Sequence, residues 1–158
     1  MYSTQVSRRV RAPRAAVYRA LLDGDAVAKW RVPAGMSGQV HEFEGHEGGR
    51  FRVSLTYDAP TDTGKSAPDT DTYHGHFEQL VPDERVVEVL EFETPDPTLR
   101  GSMTITTTLT DVAGGTEVVL LHEGVPDTVP AADNETGQRM ALDNLARLVE
   151  EDAGGPAG

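Results

Sequence analysis

The step Arg11-Ala12-Pro13-Arg14-Ala15-Ala16-Val17-Tyr18-Arg19-Ala20-Leu21-Leu22 constrains the fold more than any other part of this chain. Before it, Tyr2 to Arg11 alternates as a strand does. After it, Val17, Leu21 and Leu22 recur at helical spacing. Proline suits the first turn of a helix, because it has no N–H to leave unpaired there and its φ is already near the helical value. The pattern therefore predicts a strand that hands over to a helix opening directly on Pro13 and running to Leu22.

Asp23-Gly24-Asp25 ends that helix, and a second short one is predicted from Asp25 to Trp30, closing before Pro33. Residues 35–45 and 50–57 read as two strands joined by a tight turn at His46-Glu47-Gly48-Gly49. In the second, Phe51, Val53, Leu55 and Tyr57 share one face while Arg52, Ser54 and Thr56 take the other. The polar stretch 58–71 has neither period nor bulk and reads as a loop, either a lid or an insertion. Strands resume over 72–81, 85–93, 100–112 and 116–123, with turns at Pro82-Asp83-Glu84 and Gly114-Gly115. A long helix is predicted from about Pro130 to Asp152, followed by a Gly/Pro tail. Consecutive strands joined by short turns make an antiparallel sheet, and one long helix against it makes an α+β layer pair. The expectation is a single domain over 1–152, with 153–158 a disordered tail.

Composition removes several functions. The chain has no cysteine, so disulfides and thiolate chemistry are excluded. A net charge of −12 repels nucleic acid and anionic membranes, and neither is expected as a partner. No run approaches membrane-spanning length and the N-terminus has no apolar signal core, so a cytoplasmic location is the default expectation. Ala59 to Ser66, ending Gly64-Lys65-Ser66, matches a loose phosphate-loop pattern. The next residues, Ala67-Pro68-Asp69-Thr70-Asp71, have no apolar period to form the helix such a loop needs, and they add carboxylates. No nucleotide and no other cofactor is expected.

The histidines divide by strand face. His74 and His76 share a face, a spacing that metal sites use, but His41 and His46 are an odd number of residues apart and so point oppositely. These read as solvated strand histidines, and no metal site is expected. His122 is different, because it alternates with Val118 and Leu120 and so shares their apolar face. Such a histidine serves either as hydrogen-bonded structure or as a ligand contact or general base, and it is the one candidate for catalysis. Glu88 shares a face with Val86, Leu90 and Phe92, although a one-residue slip of register would send it to solvent. No nucleophile elbow and no dinucleotide fingerprint occurs. Asn134-Glu135-Thr136 is a glycosylation sequon only formally, since no secretory signal accompanies it.

Taken in order, several short motifs carry a resemblance. They are the Arg11-Ala12-Pro13-Arg14 step, Trp30 closing the second helix, and Gly48-Gly49-Arg50-Phe51-Arg52. Further on stand Pro82-Asp83-Glu84-Arg85-Val86-Val87, Gly115-Thr116-Glu117-Val118, His122-Glu123-Gly124 and Ala141-Leu142-Asp143-Asn144-Leu145-Ala146-Arg147-Leu148. From about Ser3 to Glu150 the chain resembles the SRPBCC (START-like, helix-grip) superfamily, nearest to bacterial homologues of the C-terminal domain of the activator of heat-shock protein 90 ATPase. The resemblance implies a helix-grip fold: a curved seven-stranded antiparallel sheet wrapped around the C-terminal helix, with two short helices after the first strand. It also implies a small-molecule cavity between sheet and helix. Eukaryotic members of that branch are co-chaperones, while most bacterial ones have no assigned substrate.

One departure stands out. Where the family usually has Gly-Trp, this chain has Gly137-Gln138. Helical spacing puts Gln138 on the stripe of Ala141, Leu142, Leu145, Leu148 and Val149, which must face the sheet. The amide then either reaches a polar partner or borders a solvated cavity. The cavity of the implied fold would be lined by Phe51, Val53, Leu90, Met103, Ile105, Leu120, Gln138 and Leu142, with His122 as the polar contact. Three functions are compatible with this: binding of a small hydrophobic molecule, a co-chaperone-like interaction module working through the acidic surface, and an enzyme of the cyclase or hydrolase kind using His122. A homodimer is compatible with all three.

Overall fold

Among the described residues, seven strands and three α-helices occur in the order β1 (Tyr2–Val10), α1 (Arg14–Leu21), α2 (Gly24–Trp30), β2 (Met36–Phe43), β3 (Arg50–Tyr57), β4 (Thr70–Val81), β5 (Arg85–Phe92), β6 (Met103–Val112), β7 (Gly115–Val125) and α3 (Ala131–Ala153). The computed structural model describes residues 1–59, 66–67 and 69–153, so the phosphate-loop-like residues 60–65 and the tail 154–158 lie outside the described residues. The sheet is antiparallel throughout, in the order β1-β7-β6-β5-β4-β3-β2. Hairpins build β2 to β7 in sequence, and the long return brings β7 beside β1. This is the expected helix-grip arrangement.

Several boundaries differ from the sequence expectation. Pro13 is not the first helical residue but the cap before it, with an extended ψ of 154, and its carbonyl accepts from Ala16 N and Val17 N. Its fixed φ serves both states, so the pattern alone does not separate them. α2 starts at Gly24, where the Asp23 carboxylate accepts from the Asp25 and Ala26 amides. β6 begins only at Met103, because Pro97–Leu99 forms a short 3₁₀ turn capped by Asp96. α3 continues through Ala153, into the start of the expected tail.

Two local devices shape the sheet. Register shifts between Phe77 and Gln79, so Phe77 and Leu80, three residues apart, both turn toward the core. Gly75 allows β4 to press on β5, since a Cβ there would sit 2.0 Å from the Val89 carbonyl oxygen. The inner face carries Val6, Val10, Phe51, Val53, Phe77, Val86, Leu90, Met103, Ile105, Leu109, Val118 and Leu120 into one core with Val17, Leu21, Val27 and Trp30.

α3 covers this core with Ala141, Leu142, Leu145, Ala146 and Val149, all buried. It packs closest to β1 on one side and to α2 and α1 on the other, rather than midway over the sheet. Polar ties hold it to β1: Arg8 donates to Asp143, the Arg11 amide donates to Glu150 at 2.8 Å, and the Tyr2 hydroxyl donates to the Val129 carbonyl just before the helix. Leu148, expected in the core, packs against its edge and is only half-buried, because it borders the cleft beside the segment after α2.

Candidate functional site

Strand register sets the interior out in rows. Phe77, Glu88, Ile105, His122 and Thr4 are cross-strand neighbours, and Val86, Thr107, Leu120 and Val6 form the adjacent row. Glu88 therefore points inward, as the unslipped register requires, and is 5% exposed. A buried carboxylate needs a hydrogen-bonded cation. The partner is Arg31, a residue the sequence reading did not single out. Its Nη1 and Nη2 each donate to one Glu88 oxygen at 2.9 Å, a two-pronged pair.

Arg31 is aimed by its surroundings. It comes directly after Trp30 at the end of α2, and its guanidinium lies 4.7 Å over the Trp30 ring. The Trp30 indole donates to the Ala20 carbonyl, tying α2 to α1. From α3, Asn144 Nδ2 donates to the carbonyls of Trp30 and Val32, at 3.3 and 3.0 Å, so the backbone is held on both sides of Arg31. Burial works against the Arg31 charge, but Glu88 beside it, helped by Tyr73, keeps it firmly protonated. Burial pushes the Tyr73 phenol up, and the nearby Arg31 charge offsets part of that. Arg31 acts on the Tyr73 oxygen both as a charge and as a hydrogen-bond donor, while the Tyr73 O–H finds no acceptor.

His122 sits on the other side of the same floor and is 4% exposed. Its Nδ1 lies 3.1 Å from Asn134 Nδ2 and 3.2 Å from Gln138 Nε2. The Thr4 hydroxyl donates to Asn134 Oδ1, which leaves the Asn134 NH₂ directed at the ring. Two amide donors converging on Nδ1 make it the acceptor, so the proton of the neutral ring resides on Nε2. Burial, assisted by the Arg31 charge, pulls the His122 pKa down to about 4, and the ring is neutral near pH 7. Its Nε2 is buried without a partner, and the hydroxyl protons of Tyr73 and Thr107 are buried without an acceptor.

The residues expected to line a cavity do come together. Phe51, Val53, Leu90, Met103, Ile105, Leu120 and Leu142 are all buried in the single core around this polar floor. Gln138 is half-buried and finds its polar partner in His122. The sequence reading missed Arg31, Tyr73, Thr107, Asn134 and Asn144. The inward Glu88 was a signal that a buried cation exists, but nothing local pointed to an arginine 57 positions earlier.

The outer face is a separate environment. His74 bridges Glu91 and Glu93 at 2.9 and 3.0 Å, Arg52 pairs with Glu93, and His76 contacts Glu78 at 2.8 Å. These histidines are more than 40% exposed, as solvated strand residues should be. Among the described residues no group of three or more His, Asp or Glu side chains is arranged to hold a metal ion. A cleft of about 570 Å³ lies between the segment after α2 and the end of α3, bordered by Lys29, Val32, Met36, Asn144, Arg147 and Leu148. No helix among the described residues is long and apolar enough to cross a membrane.

Comparison with known proteins agrees with this geometry. The family model of the activator of Hsp90 ATPase homolog 1-like proteins matches residues 11–150. Protein CV1439 of Chromobacterium violaceum is 32% identical and superposes with a TM-score of 0.84 over 94% of this chain and 97% of its own. A Rhodobacter sphaeroides protein, 21% identical, gives a TM-score of 0.76 over 94% and 91% of the two chains. An AHSA1-like protein from Aeromonas hydrophila, 18% identical, gives 0.74 over 99% and 97%. No curated protein matches the chain. With the family model spanning the elements after β1, and a relative at 32% identity along almost the full length, the chain belongs to the activator of Hsp90 ATPase homolog 1-like family of the SRPBCC superfamily.

Proposed function

We propose that the protein binds a small, mainly apolar molecule between its sheet and α3, with His122 as the polar contact. The observation that carries this reading is the His122 Nε2, buried among apolar side chains and left without a partner. A buried donor left unsatisfied costs about 1–3 kcal/mol, which a ligand acceptor would recover. Phe51, Val53, Leu90, Met103, Ile105, Leu120, Gln138 and Leu142 supply the surrounding surface. Untargeted mass spectrometry of the purified protein after solvent extraction tests the reading directly. A hydrophobic compound should co-purify in stoichiometric amount and be depleted from His122→Ala; an empty protein whose melting temperature no apolar compound raises would refute it.

The same geometry weighs against the cyclase or hydrolase alternative. A general base needs a free lone pair, and that of His122 on Nδ1 is taken up by Asn134 and Gln138. The family's description supports a second reading, in which the acidic surface contacts a chaperone. A pull-down with purified chaperone, repeated at high salt to screen the charges, separates it from the first.

A further inference from the structure

The polar floor is unbalanced in a way that defines its ligand. It offers the His122 Nε2–H and the hydroxyl protons of Tyr73 and Thr107, all buried and none with an acceptor. Thr107 lies one row from both Glu88 and His122, on the strand between theirs, and Arg31 reaches from Glu88 toward Tyr73. All three groups can donate, and one of them, the histidine nitrogen, can only donate. The carboxylate oxygens of Glu88 already accept from Arg31. Donors are thus in excess over acceptors on this floor.

Charge narrows the class further. The Arg31 guanidinium is matched by Glu88 at 2.9 Å, so the pair is neutral as a unit. An anionic head group would bring an uncompensated charge into a site whose side chains are 13% and 6% exposed, which is costly. A cationic head would likewise bring an uncompensated charge into this dry site, beside the Arg31 guanidinium. We infer that the protein selects an uncharged, oxygen-bearing acceptor, such as the carbonyl of a ketone, ester or amide, attached to an apolar body. This rests on the cavity reading above and specifies its substrate class.

Three probes of similar shape separate the possibilities: 2-acetylnaphthalene, 2-isopropylnaphthalene and 2-naphthoate, titrated at neutral pH against the full chain by calorimetry. The ketone should bind about tenfold more tightly than the hydrocarbon, the ratio expected from one net buried hydrogen bond. Thr107→Val and Tyr73→Phe each remove one hydroxyl and keep the shape of the side chain, so both variants should fold, as circular dichroism will check. In the variant whose hydroxyl meets the carbonyl, the ketone preference should collapse toward parity while hydrocarbon affinity holds. Nitrogen NMR of labelled histidine should show His122 protonated on Nε2 and shifted by the ketone but not by the hydrocarbon. Equal binding of ketone and hydrocarbon would overturn this inference while leaving the apolar cavity standing. Tightest binding of the naphthoate would overturn it in favour of an anion site. Failure of all three probes to bind would overturn the cavity reading and the inference with it.

Discussion

Replacing Glu88 by leucine strips the Arg31 guanidinium of both carboxylate oxygens that hold it, while leaving the charge in place. Arg31 is 13% exposed and stacked over Trp30, so water can solvate it only in part. Removing one partner of such a buried pair costs about 3–5 kcal/mol. The residual exposure places Glu88→Leu near the lower end. The reverse change, Arg31→Met, leaves Glu88 at 6% exposure without a cation and gives up the cation–π contact. It should cost at least as much, about 3–5 kcal/mol. The double variant Arg31→Met/Glu88→Leu removes both charges together with their desolvation cost, and should lie within about 1 kcal/mol of the parent or above it. The assay is equilibrium urea unfolding at neutral pH, followed by far-ultraviolet circular dichroism and by the fluorescence of Trp30, the chain's one tryptophan. An unchanged dependence on urea across the set keeps the comparison valid. A double variant as unstable as the two single costs added together would refute the argument, as would a Glu88→Leu cost below about 1 kcal/mol. Either result would mean that the two charges do not face each other in a dry interior.

Leu145 is fully buried where α3 meets the core, so Leu145→Ala should cost about 2–5 kcal/mol in the same urea assay; a loss under 1 would mean α3 is not packed there. The depressed His122 pKa means that, between about pH 6.5 and 4, the unfolded chain binds a proton the folded chain refuses. Its contribution is therefore complete above pH 6.5 and is lost as pH falls, by about 3 kcal/mol in all at roughly 1.4 per pH unit. The stability of the parent should fall relative to His122→Gln over that window, and parallel pH profiles would contradict it. Gln138→Trp puts an indole where an amide now reaches His122, and should weaken 2-acetylnaphthalene binding by more than about tenfold, or ~1.4 kcal/mol. Unchanged affinity, measured by calorimetry, would detach Gln138 from the site.

Much of this molecule is periodic, and periodicity is legible in a single sequence. The alternation of Phe51 and Val53, of Val118, Leu120 and His122, and the helical recurrence of Leu142 and Leu145 each report a local geometry that the chain repeats every two or 3.6 residues. That alone sorted one face from the other, sent His74 and His76 to solvent and pointed Gln138 at the sheet, while the family resemblance turned the face of His122 inward. Where the backbone breaks its period, the sequence misleads: the register shift after Phe77 turns Leu80 inward out of phase. Leu148 keeps its helical phase but lies at the edge of the core, where it borders a cleft and is only half-buried. The functional chemistry lay beyond any local signal. Whether Glu88 is buried was open to a one-residue slip, and its partner Arg31 comes from the end of α2, placed only when α1 and α2 cross from β1 to the far edge of the sheet. Asn144, on α3, then holds the backbone on both sides of that arginine. A strand's face is decided by its own residues, but the meeting of two buried charges depends on how separate elements pack, and only the tertiary structure decided that.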